Sequence, residues 1–240
     1  DGAPSESGTF NIFRLGTWVP PAQPHFFANT QFPVSEASLD QYAFQQTPDT
    51  GPEAIDEPTR ELQATNVVNL FQKIGPGILL THSNSGQYGW TTGILAPTLI
   101  RAIVAYEPAA FAFPSDEPPA AVATADPTVA AITAPQLYTP AQFENLTKMP
   151  IQIIYGDNID FDTPSSITGV ELWRVVVQRA AQFVAAVNKH GGHAELLFLP
   201  KAGLTGNTHF AFSDLNNVAV ADLLSTYLHN NGLDRRSIRQ

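Results

Sequence analysis

Cysteine is absent from the 240 residues, which removes disulfides, zinc–thiolate sites and cysteine nucleophiles from the chain. Basic residues are scarce: 12 Lys and Arg stand against 22 Asp and Glu, for a formal charge of −10, and no basic run occurs. A phosphate-binding surface is therefore not expected, and nucleic acid is excluded as a partner. No apolar run approaches the roughly 20 residues that span a bilayer, so a membrane-embedded protein is excluded as well. No cluster of histidines and carboxylates has metal-ligand spacing, so neither a metal nor an organic cofactor is expected. The chain opens on Asp1 and shows no signal-peptide pattern, which leads us to expect a processed product or a fragment. What it has in quantity is apolar surface, 43 % of residues, together with 20 prolines. That suffices for a sizeable core, and one large domain, or part of one, is the natural size class.

The prolines concentrate early. Residues 1–52 read as an arm rich in aromatics (Phe10, Phe13, Trp18, Phe26, Phe27, Phe32, Tyr42 and Phe44), broken by Pro20, Pro21, Pro24 and Pro33. Proline at that density forbids long helices and central strands, so the arm must lie on another surface. From residue 53 to 240 the pattern is that of a core. Leu62, Val67, Leu70, Phe71 and Ile74 mark one helix face, stopped by Gly75-Pro76-Gly77. Residues 78–81, 101–106, 151–155 and 194–199 read as strands, the first as a strand buried on both faces. Trp173, Val176, Ala180, Val184 and Val187 share a face of a long helix that Gly191-Gly192 ends. Residues 215–228 predict a last helix, stopped near Gly232, with Ser213 or Asp214 as its N-cap. Strands alternating with helices imply an α/β fold with a mostly parallel sheet covered on both faces. Residues 111–148, rich in Ala, Pro and Thr, interrupt that rhythm as a lid-like insertion would, and carry the glycosylation pattern Asn145-Leu146-Thr147.

The informative segment is Gly77-Ile78-Leu79-Leu80-Thr81-His82-Ser83-Asn84-Ser85-Gly86, a buried strand that breaks into a helix near Asn84. It resembles the nucleophile elbow of the α/β hydrolases, G-x-S-x-G, in which small residues flank a serine held on a strained turn. Here Thr81 and Ser85 replace both flanking glycines. Ser85 as nucleophile fits less well, because it would place Gln87 at a flank. With Ser83 as nucleophile, the N–H of Asn84 points where an oxyanion would form.

In this fold the triad runs serine, acid, histidine along the chain. His209 follows the last strand, in the loop Gly206-Asn207-Thr208-His209, as a general base must. His25, His82, His190, His193 and His229 are read as surface or capping residues, His82 pointing away from the serine. Two loops offer an acid. Asp157 follows residues 151–155, and position alone favours it; Glu107 follows residues 101–106, the strand after the nucleophile's own.

Taken together, Leu80-Thr81-His82-Ser83-Asn84-Ser85-Gly86, Ala105-Tyr106-Glu107-Pro108, Gly156-Asp157 and Gly206-Asn207-Thr208-His209 resemble a particular group, the bacterial-type secreted α/β-hydrolase esterases with an H-S-x-S-G elbow and a glutamate acid. Phe13-Arg14-Leu15-Gly16, Asn29-Thr30-Gln31-Phe32-Pro33 and the closing 214–222 resemble it too, so the likeness runs over most of residues 10–230. The resemblance implies a secreted or periplasmic serine esterase with Ser83, His209 and Glu107 as its triad and Asp157 as a structural loop residue. It also implies a small ester substrate, an apolar acyl or aromatic one if the arm and insertion line the pocket. The same triad serves amidases, peptidases and lactonases, and a spent triad would leave a binding module. Only the second half of such a sheet is visible, and residues 78–81 would be a bare apolar edge. The chain is accordingly expected to be the C-terminal part of the fold, with the preceding strands on a companion chain of the same precursor.

Overall fold

The computed structural model describes residues 5–44 and 56–234. The boundary expected near residue 52 lies outside them, as does Asp1. In the arm, α1 (Glu6–Ile12) starts on Ser5, whose hydroxyl accepts from Gly8 N at 3.1 Å. A short antiparallel ladder, β1 (Gly16–Thr17) with β2 (His25–Phe26), follows, and then α2 (Glu36–Phe44). Helix α3 (Glu57–Ile74) is capped by Asp56, which accepts from Thr59 N at 2.9 Å, and ends on Gly75. Then come β3 (Gly77–His82), α4 (Gly86–Leu95) and β4 (Ile100–Tyr106). The insertion supplies β5 (Ala112–Pro114), α5 (Pro127–Ile132), β6 (Gln136–Tyr138) and α6 (Pro140–Phe143). Strand β7 (Pro150–Tyr155), the long α7 (Thr168–Lys189), β8 (His193–Phe198) and α8 (Asn217–Asn230) complete the order.

The central sheet is parallel throughout, in the order β3–β4–β7–β8. Side chains alternate across it, as the two-residue period of a strand requires. Ile103, Ala105, Ile151, Ile153 and Tyr155 join one buried cluster with Trp90 of α4 and Trp173, Val176, Ala180 and Phe183 of α7. Val104, Tyr106 and Ile154 face the other way, onto Val220 and Tyr227 of α8. The expected α/β architecture is present, and each predicted strand lies within a residue or two of its place.

Three expectations need correction. Strand β3 is not buried on both faces: it is the outer strand of the described sheet, so Ile78 and Leu79 are half-buried and Leu80 is 51 % exposed. Neither Ser213 nor Asp214 caps the last helix, which starts later, on Asn216. Asp214 is instead held by the histidine loop, accepting from Thr208 N and Thr208 Oγ1 (both 2.8 Å) and from Asn207 Nδ2 (3.0 Å). The Asn145 pattern is not presented to solvent as a glycan acceptor would be: its Nδ2, the atom a glycan needs, donates to Ile94 O at 2.8 Å. The insertion is anchored through Phe111, Phe113, Val129, Phe143 and Leu146, all part of the main core cluster.

Candidate active site

Strand β3 breaks at Ser83, whose φ of 53° lies in the left-handed region that non-glycine residues enter only at a cost. The chain then makes one tight turn over residues 83–85 before α4 begins. Ser85 fastens that turn: its hydroxyl donates to His82 O at 2.7 Å and accepts from His82 N at 2.9 Å. Thr81, bulkier than the glycine usual at its position, is accommodated because residue 89 is a glycine. A Cβ there would stand 2.9 Å from Thr81 Cγ2. Ser83 is half-buried, and its Oγ is not hydrogen bonded to His209 in this conformation. Asn84 is exposed at the start of the turn, its side chain accepting from Gln87 Nε2 at 2.5 Å.

Strand β4 ends in a second left-handed residue, Glu107, with φ 54° and no exposure at all. Its backbone N–H donates to Ile154 O at 2.8 Å, which turns the side chain inward beside β7. Its two carboxylate oxygens have separate duties. Oε1 accepts from Arg14 Nη2 at 2.5 Å and from Gly156 N at 2.6 Å. Oε2 faces His209 Nδ1 at 3.4 Å, long for a hydrogen bond but of the length such contacts take before substrate binds. Gly156 must be glycine for this approach, since a Cβ there would lie 2.6 Å from Asn207 O and 2.8 Å from Thr208 O.

His209 is 1 % exposed. The arm holds it: its N–H donates to Phe13 O at 3.0 Å, and the Phe13 ring stacks on the imidazole at 5.2 Å. Trp173 of α7 covers another side at 4.8 Å. Position alone favoured Asp157 as the acid, but its carboxylate is engaged elsewhere, accepting from Asn29 Nδ2 (2.9 Å), Gly206 N (2.7 Å) and Asn158 N (2.7 Å). Asp157 ties the arm to the loop that carries His209.

His82 was expected to point away from this region. Instead its ring lies 4.5 Å from the His209 ring, and its Nε2–H donates to His209 O at 2.9 Å. Ser83 is therefore the chain neighbour of a residue in direct contact with His209. The other histidines lie elsewhere: His190 caps α7, His193 is exposed at the start of β8, and His25 and His229 are exposed. Sequence reading also missed Arg14, Phe13 and Trp173. For Arg14 the signal was present, a lone cation between Phe13 and Leu15 in a chain with few basic residues.

Burial sets the electrostatics. It depresses His209 to about 4, with Glu107 pulling the other way and His82 and Arg14 adding to the depression. Burial also raises the Glu107 carboxyl, but the Arg14 charge and the His209 contact outweigh it and leave the group below its usual range. The resting site thus holds a neutral imidazole beside an ionised carboxylate.

No protein-family model matches the chain. It is 29 % identical over 191 residues to the "Probable secreted lipase phiG" of a fungal species (strain ATCC 74256), an alignment covering 72 % of this chain and 51 % of that protein. Among solved structures it resembles one described as the atomic resolution structure of a novel bacterial esterase, with 29 % identity and a TM-score of 0.69 over 95 % of this chain and 58 % of that one. The chain therefore spans a little over half the length of both proteins it matches.

Proposed function

We propose that this α/β-hydrolase chain carries the catalytic residues of a secreted or periplasmic serine esterase. Ser83 is the nucleophile, His209 the base, Glu107 the acid and the Asn84 N–H one oxyanion donor. The observation that carries the reading is the Glu107 carboxylate set against His209 Nδ1, beside a strand–turn–helix in which Ser83 takes a left-handed backbone. With its proton on Nδ1, His209 has Nε2 free to take the Ser83 proton as Oγ bonds to the ester carbonyl carbon. The alcohol then leaves with the proton from Nε2. Water attacks the acyl-enzyme by the same path, giving the acid and free Ser83. Glu107 steadies the imidazolium in both steps.

The test is direct. The natural protein should take up a fluorophosphonate on Ser83 and turn over chromogenic esters faster than the matching amides. Absence of both labelling and turnover would defeat the proposal.

We also propose that the outer edge of β3, with Leu80 open to solvent, seats a further strand from a companion polypeptide. Protein purified without denaturation should then contain a second polypeptide that stays with the activity. A fully active species with the mass of this chain alone would contradict it.

A further inference from the structure

A buried arginine is costly unless its charge is met, and in this chain one such residue meets the acid of the proposed triad. Arg14 is 3 % exposed and, like Ser83 and Glu107, holds a left-handed backbone, at φ 57°. Three contacts fix its guanidinium. Nε donates to Asp157 O at 3.0 Å, Nη2 donates to Glu107 Oε1, and the group lies 4.8 Å over the Trp173 ring. Trp173 is pinned in turn by its indole N–H donating to Ile12 O at 2.5 Å. The arm, the β7 loop and α7 thus converge on one cation. Its effect falls on geometry: with Oε1 taken by Arg14 and Gly156, the carboxylate has one oxygen left, and that one faces His209.

We propose that Arg14 is a positioning residue of the esterase, clamping Glu107 so that only Oε2 addresses His209 and offsetting the carboxylate's charge so that the imidazole stays a free base in mildly acid solution. The inference rests on the triad read above.

The charged and titratable groups around the pair are few. His209 faces Glu107, His82 and Arg14; Glu107 faces Arg14 and His209, with Tyr155 nearby, its hydroxyl donating to Pro108 O. Arg14 supplies the permanent positive charge among these groups. Without it the Glu107 carboxylate either draws a proton onto His209 in the resting enzyme or takes one itself. Both outcomes disable the base at higher pH.

The experiment is an NMR titration of the His209 imidazole alongside the pH profile of kcat/KM, in the natural protein and in Arg14→Gln and Arg14→Lys variants. In the natural protein His209 should stay neutral well below pH 6.5; titration at or above 6.5 would overturn the proposal without any variant. In Arg14→Gln the acid limb of kcat/KM should move up by about one pH unit or more, and kcat should fall about tenfold or more with KM little changed. The titration shows whether His209 itself gains the proton. Arg14→Lys keeps the charge but not the planar fork, so its acid limb should stay near that of the natural protein while kcat still falls. Loss of thermal stability with an unmoved limb, titration and kcat would reduce Arg14 to a structural ion pair and sink the idea. If the natural protein hydrolysed no ester, the titrations would still decide the role of Arg14, so the two failures stay separate.

Discussion

Replacing Ser83 with alanine is expected to lower kcat for ester hydrolysis by about four to six powers of ten, as removal of a serine nucleophile does in related triads. The fold should survive. Ser83 Oγ makes no hydrogen bond to His209, so no such bond is lost, and alanine meets the same left-handed backbone cost that serine already bears. Thermal melting should therefore place Ser83→Ala within about 1 kcal/mol of the natural protein. The informative comparison is Ser85→Ala. The Ser85 hydroxyl holds both His82 N and His82 O, so its loss should cost about 1–2 kcal/mol of stability and loosen the turn without removing the nucleophile. Stopped assays on a chromogenic ester, normalised by fluorophosphonate labelling, measure both variants. Activity of Ser83→Ala within tenfold of the natural protein would mean that another group attacks.

The sheet was legible because its strands are buried: residues 101–106 and 151–155 are unbroken apolar runs that no amphipathic helix would show. The long α7 was legible for the opposite reason, a clean apolar stripe ended by paired glycines. The elbow was readable despite its missing glycines, since what the turn needs is space, and Gly89 supplies the space that Thr81 takes. What stayed hidden depends on contacts between distant segments. Nothing local marks His82 as the neighbour of His209, because the hydrogen bond joins residues 127 apart in sequence. Arg14 meets Glu107 across 93 residues, and the arm's role in holding His209 N–H through Phe13 O is a backbone contact that no side-chain pattern encodes. The choice between Glu107 and Asp157 could not be made from position for the same reason. It turns on which carboxylate the fold leaves facing the imidazole and which it spends on Asn29 and Gly206.

That choice gives the second large effect. Glu107→Gln should lower kcat by about three to four powers of ten. The amide oxygen will keep the side of Arg14 and Gly156, both donors, and so turn the NH2 toward His209. An NH2 there donates to Nδ1 and places the imidazole proton on Nε2, the atom that must accept from Ser83. The variant also leaves the Arg14 guanidinium buried without its counter-charge, at a cost of about 3–5 kcal/mol in stability. The sign with pH follows from the Glu107 carboxyl being held below its ordinary 4.5. Its stabilising contribution is present above that value and is lost as pH falls through the folded-state pKa. The stability gap between the natural protein and Glu107→Gln should thus be widest near neutrality and narrow in acid, which denaturant melts at several pH values would show. Asp157→Asn is the control: it weakens the tie between the arm and the histidine loop by about 1–2 kcal/mol yet leaves the acid in place, so kcat should change only several-fold. If Asp157→Asn lost as much kcat as Glu107→Gln, or if Glu107→Gln stayed within tenfold of the natural enzyme, the acid would have to be sought elsewhere than at the end of β4.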